Sequence, residues 1–254
     1  MTTPTSITTP AGTSGTASPA SSVRQVGGLE MLAWDALATA SQGSVAAYTV
    51  EAYVTTRSGG VSTGAYESLN MSLAVHDDAR AVLENRRRVA AALGADPGDF
   101  VFSRQVHGAG VRVVDKADRG TGAFRHDESV PEGDVLVTTD ASVVLAILTA
   151  DCTPIVLHDP QAGVLACVHA GWRGTVARAC AAAVSAMTGL GASPARIVAG
   201  IGPAIGADRY QVGPEVAEAA RKAFGDQAGT VISPDGTGRW LFDLPAANRL
   251  VLRE

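Results

Sequence analysis

The chain has 254 residues, 46% of them hydrophobic, and a formal net charge of −5. That acidic balance argues against a general grip on nucleic acid, and no apolar run approaches the roughly 20 residues that a membrane-spanning helix needs. Three widely spaced cysteines, with no basic start leading into an apolar run, suit a reduced cytoplasmic compartment better than a disulfide framework.

Residues 1–45 are dominated by Thr, Ser, Ala, Pro and Gly. Such a stretch buries too little apolar surface to offset its ordering entropy, so it is expected to be a disordered low-complexity tail. Met31 offers an alternative start. Residues 46–254 are then a single catalytic domain. Residues 46–56 are rich in β-branched and aromatic side chains and are expected to form a strand, running into a Gly-rich loop that carries Arg57. Over 79–93, Val82, Val89 and Leu93 recur at near-helical spacing, and Gly94 closes the helix. Strands are expected at 100–105 and 111–115, on either side of His107. Residues 116–133 are polar and loop-like. Short apolar strands follow at 135–139, 143–149, 154–158 and 164–169, then a helix at 174–190. A strand at 196–201 ends in the loop GIGPAIG. A helix at 214–224, a strand at 239–242 and a helix at 244–253 complete the chain. Strands outnumber helices and often follow one another directly, which favours an α+β fold with mixed sheets.

The chemistry concentrates between residues 148 and 175, where Asp151, Cys152, His158, Asp159, Cys167 and His169 sit among apolar strand-like runs. Period-two alternation puts Leu165, Cys167 and His169 on one face and Val164, Ala166 and Val168 on the other. His169 therefore ends a strand, pointing into a cleft or satisfied in the core by a backbone carbonyl. Cys152 is either a buried small hydrophobe or a thiolate, which needs a metal, a histidine or positive surroundings. The carboxylate of Asp151 beside it favours the second. Cys167 and Cys180 fit the first. Together His107, Cys152 and His169 would supply two imidazoles and a thiolate, suited to Zn²⁺ with one position left for water or substrate. Their long separations match no local spacing rule. Arg173 in GWRGT and Arg57 in TRSGG each follow a strand and lie in a glycine-containing turn. Each is a candidate phosphate or carboxylate site or a plain surface arginine. GIGPAIG lacks the Lys-Ser/Thr ending of a P-loop. A zinc nucleobase-deaminase layout and a Gly-x-Ser-x-Gly elbow are both absent.

The segments TTRSGGVSTGAYESLN, ENRRRV, SRQVHG, TADCTPIVLHD, HAGWRGT and GIGPAIG, the last followed by Tyr210-Gln-Val-Gly, occur in an order that resembles the YfiH-type laccase-domain family. These proteins are also called multicopper polyphenol oxidases or purine nucleoside phosphorylases. The resemblance covers residues 50–250. It implies a layered α/β/β/α-like core of mixed sheets flanked by helices, and a zinc site at His107, Cys152 and His169, with copper as the alternative metal. It also implies phosphorolysis of adenosine, inosine and methylthioadenosine, and deamination of adenosine. In that reading Arg173 and Arg57 hold phosphate, and Cys152 and Asp151 serve catalysis, Asp151 by moving a proton. Asn70 and Asn85 contact base or ribose through the SLN and ENR matches. The expected partners are small molecules, with no nucleic acid and no membrane, on a monomer or weak homo-oligomer. Rival readings are a copper phenol oxidase, a peptidoglycan editing factor and a metal-free cysteine hydrolase. Relatives continue past the LPAANRL helix into a segment with a Cys-Thr pair and a Ser-Tyr-Arg-Arg stretch, so a domain truncated at its C-terminus is expected.

Overall fold

The computed structural model describes residues 6–7, 21–37 and 50–254. In chain order its elements are β1 (Ser6–Ile7), β2 (Ser22–Val26), β3 (Leu29–Ala33), β4 (Tyr53–Thr55), α1 (Ala79–Ala92), β5 (Phe100–Phe102), β6 (Val111–Val113), β7 (Val135–Thr138), β8 (Val144–Ala146), β9 (Thr153–Asp159) and β10 (Val164–Ala170). There follow α2 (Trp172–Val176), α3 (Ala179–Gly189), β11 (Val198–Ile201), β12 (Gln211–Val212), α4 (Pro214–Phe224), β13 (Ile232–Pro234), β14 (Trp240–Phe242) and α5 (Leu244–Arg253).

The central sheet runs β1-β11-β9-β10-β7-β6, antiparallel except for the parallel β6–β7 pair. Its heart is the β9–β10 hairpin, whose uninterrupted apolar runs are buried on both faces, as such runs must be. Alternation along β10 divides its side chains. Val164, Ala166, Val168 and Ala170 pack with α3, α4 and α5 in the largest apolar cluster. Leu165 and Cys167 face the other way, onto Trp34, Leu37 and Val54. On that second side lie the small sheets β2-β3-β4 and β5-β8. Beyond them α1 packs Val89 and Ala90 against Met31, Phe100 and Phe102. The order helix, strands, sheet, helices is the expected α/β/β/α-like layering.

Two expectations need correction, and a third gains detail. The tail is not structureless up to residue 45: residues 22–33 form the β2–β3 hairpin, with Met31 fully buried between β2 and β4. The clustered apolar residues Leu29, Met31, Leu32 and Trp34 supply the burial that the composition of residues 1–45 as a whole hides. The rest of that expectation, and the strand expected at 46–49, lie outside the described residues. The single helix expected at 174–190 is broken into α2 and α3. Arg178 adopts a left-handed φ of 62° at the break, and its N–H donates to the Thr175 carbonyl. The polar stretch 116–133 contains two short 3-10 turns, at Lys116–Asp118 and His126–Glu128. No helix among the described residues is long and apolar enough to cross a membrane.

Candidate metal centre

Strand register brings the chemistry together. Residue 169 pairs with Pro154 and residue 170 with Thr153, so the end of β10 lies beside Cys152, which immediately precedes β9. On the other flank Val168 pairs with Val135, which sets Asp134 across from His169. The parallel β6–β7 pair carries the loop that holds His107 to the same end of the sheet. As a result His107, Cys152 and His169 each offer a donor atom, all within 4.8 Å of one another. The two imidazoles meet edge to face, with ring centroids 4.8 Å apart. Exposure is graded across the trio: His169 is buried, Cys152 half-buried and His107 exposed.

Glycines make the room. The backbone of Gly171 has φ −76° and ψ 179°, which any residue can adopt. A Cβ there would lie 2.9 Å from Cys152 Sγ and 3.1 Å from His107 Cδ2. At Gly174 a Cβ would meet the Gly108 carbonyl at 2.8 Å, so α2 can press against the His107 loop only without a side chain. The two glycines of HAGWRGT thus serve close approach.

Asp134 is the functional residue that sequence reasoning missed. It is fully buried at the mouth of β7. Oδ1 accepts from His107 N–H at 2.9 Å and lies 2.8 Å from His169 Nδ1. Oδ2 accepts from the N–H groups of Val106 at 3.2 Å and Gly108 at 2.7 Å. This nest holds His107 at φ 61°, a left-handed conformation that costs a non-glycine residue roughly 1–2 kcal/mol. Burial works to raise the Asp134 pKa, but His169 and the loop N–H groups outweigh it and hold it low. For His169 burial works downward, and the bonds to Asp134 and Cys152 push it up to about 9. The His107 pKa is lowered by burial first and then by His169 and Arg173, against Asp134. Tyr210, stacked on Phe242, also borders the centre: burial and then Cys152 raise its pKa, while Arg173 opposes them.

The remaining predicted residues separate. Asp151 is exposed and lines a cavity of about 1190 Å³, together with His107, Arg57 and Asn70. Arg173 is exposed and lies over the Trp172 ring, 4.3 Å from its centroid. The helix it opens has only five residues, so the expected helix-start cradle reduces to the guanidinium and its turn. Arg57 donates from Nε and Nη2 to the Glu67 carbonyl. Asn70 is tied to Asp77 and to the backbone of Ser72. Asn85 is not among the residues that line this cavity. It is fully buried, with Oδ1 accepting from Val61 N–H and Nδ2 donating to Ser62, Ser68 and Asn70; the ENR match marks a scaffold contact. Asp159 is engaged at the far end of β9 by Arg196 and three backbone N–H groups. His158 is buried there too, with neither ring nitrogen hydrogen-bonded. Cys167 and Cys180 are buried thiols pushed up to about 12, as their apolar settings predict.

Comparison with known proteins follows the same lines. The chain is 43% identical over 203 residues to "Adenosine deaminase RL5" from an unknown prokaryotic organism, covering 80% of this chain and 78% of that protein. It is 44% identical over 206 residues to "Purine nucleoside phosphorylase" of Deinococcus radiodurans, covering 78% of this chain and 72% of that one. The crystal structure of the Bacillus licheniformis hypothetical protein YfiH superposes with a TM-score of 0.81 at 33% identity, over 88% of this chain and 80% of that chain. Residues 51–254 match the family described as multi-copper polyphenol oxidoreductase laccase, and the chain belongs to that family.

Proposed function

We propose that the chain is a zinc-dependent purine nucleoside enzyme that splits adenosine, inosine and methylthioadenosine with phosphate and deaminates adenosine. One observation carries the reading: two imidazoles and a thiol converge within 4.8 Å where His107 meets a cavity of about 1190 Å³. The names borne by its relatives support the substrate class. The donor set fits zinc. Zinc takes N and S donors at about 2.0–2.3 Å, two imidazoles and a thiol within 4.8 Å of one another are a set of that kind, and His169 Nδ1 is already engaged, which leaves Nε2 as the donor. A zinc ion there would be held by His107, Cys152 and His169, three of the four ligands that such an ion takes.

When bound, zinc supplies Lewis acidity and lowers the pKa of water beside it. The chain's own residues do the rest. Arg173, over the Trp172 ring and near His107, binds phosphate, with Arg57 on the cavity wall as a further cationic contact. Phosphate oxygen bonds to the ribose anomeric carbon as the carbon–purine bond breaks, and the departing purine nitrogen takes up the proton that the hydrogen phosphate gives up. Positioning and charge stabilisation dominate such a step. In deamination water adds at the amine-bearing purine carbon, and Asp151 moves its proton towards the departing ammonia. Asn70 contacts the ribose or base from the cavity wall.

The family's description favours copper-dependent phenol oxidation as a second reading. Against it, the described residues hold one such donor group, and a lone thiolate–imidazole centre is ill suited to four-electron oxygen chemistry. The test is to incubate the purified protein with adenosine and phosphate, with and without chelator, and separate the products. Adenine or inosine that disappears with chelator and returns with added zinc supports the proposal. Turnover that resists the chelator points to a metal-free cysteine hydrolase. No purine turnover sinks the proposal, and metal analysis then decides for copper or for a role elsewhere, such as peptidoglycan editing.

A further inference from the structure

We propose that Asp134 is the positioning residue of this centre, setting two of its three donors with one side chain; this rests on the reading that His107, Cys152 and His169 hold a metal ion. Each carboxylate oxygen has a double duty. Oδ1 reaches both His107 N–H and His169 Nδ1, and Oδ2 reaches the N–H groups on either side of His107. The backbone is tied in as well: the Asp134 carbonyl accepts from His169 N–H at 2.8 Å, and its own N–H donates to Gly110. His107 and His169 are 62 residues apart by their numbers, and Asp134 is the side chain that contacts the anchoring groups of both. Its bond to Nδ1 selects the tautomer that presents Nε2 to the ion. Its bonds to three successive N–H groups hold His107 in the left-handed conformation in which its ring meets that of His169 edge to face.

Because every partner of the carboxylate is a donor, the isosteric change Asp134→Asn is a sharp perturbation. An amide retains one accepting oxygen and sets its N–H₂ against donors where the second stood. Zinc affinity of the full chain is measured by competition with a coloured chelator, alongside thermal unfolding of the metal-free protein. D134N is expected to bind zinc about 10- to 100-fold more weakly than the wild type. Unchanged affinity in a folded D134N protein overturns the proposal and leaves the metal reading standing, as does a lower unfolding midpoint with zinc affinity intact. A wild type that takes up no zinc overturns both. Should D134N not fold, the wild type decides by itself. In zinc-loaded protein carrying ¹⁵N-histidine, His169 is expected to keep a proton on Nδ1 and bind through Nε2; binding through Nδ1 overturns the proposal.

Discussion

Gly171 decides how near the backbone comes to two of the three donor residues, Cys152 and His107. Its dihedral angles suit alanine, so Gly171→Ala changes only the space beside Cys152 Sγ and His107 Cδ2, where the methyl would stand at 2.9 Å and 3.1 Å. We expect G171A to unfold within a few degrees of the wild type, while turnover falls on the order of 10²-fold, as displacement of a reacting group by about 1 Å does. Paired melting curves and rate assays check this, and a fully active G171A would show that the trio has slack. At this scale the sequence was legible where a residue carries chemistry of its own. Cys152 beside Asp151, and His169 at the end of an alternating run, stood out as soon as burial was considered. Asp134 did not, because its role lies in register: nothing in EGDVLV says that the carboxylate faces three N–H groups and an imidazole across a strand pair. Asn85 shows the converse: the ENR match gave no sign that its amide is buried and bonded to Val61, Ser62, Ser68 and Asn70.

Among the elements, β9 is anchored at both ends by polar groups. At one end is the centre; at the other Asp159, fully buried, takes two hydrogen bonds from Arg196 and others from Ser193, Gln161 and Ala162. Burial works to raise its pKa, but those donors outweigh it and lower it to about 2. A carboxyl held below its unfolded value near 3.8 stabilises the fold fully above that value and loses the contribution as pH falls towards 2. Urea titrations of wild type and Asp159→Asn should therefore differ most at pH 5, and the gap should narrow between pH 4 and pH 2. A gap independent of pH would assign the effect to packing. Most strands and helices were legible from periodicity, because β9, β10, α4 and α5 each bury one clear face or both. The β2–β3 hairpin was masked by the composition around it. The break between α2 and α3 was invisible because Ala177 and Arg178 carry no breaker signal, although Arg178 takes a left-handed φ of 62° there.

For the molecule as a whole, three helices on one side of the central sheet are joined behind the centre by a small polar network. Asn248 on α5 is fully buried. Its Nδ2 donates to Thr175 Oγ1 on α2 at 2.9 Å, and its Oδ1 accepts from Cys180 Sγ on α3 at 3.4 Å. Asn248→Ala strands both partners in the core and should cost about 1–3 kcal/mol, read as a lower thermal midpoint. An unchanged midpoint would show that the network adds nothing to stability. The same contacts bear on how the molecule is made. The HAGWRGT turn leaves the ribosome more than seventy residues before the asparagine that braces it. Contacts across such spans close late, so a nascent chain has its donors long before it has the wall behind them, and capture of an ion during synthesis would have to wait for, or tolerate, an unbraced turn.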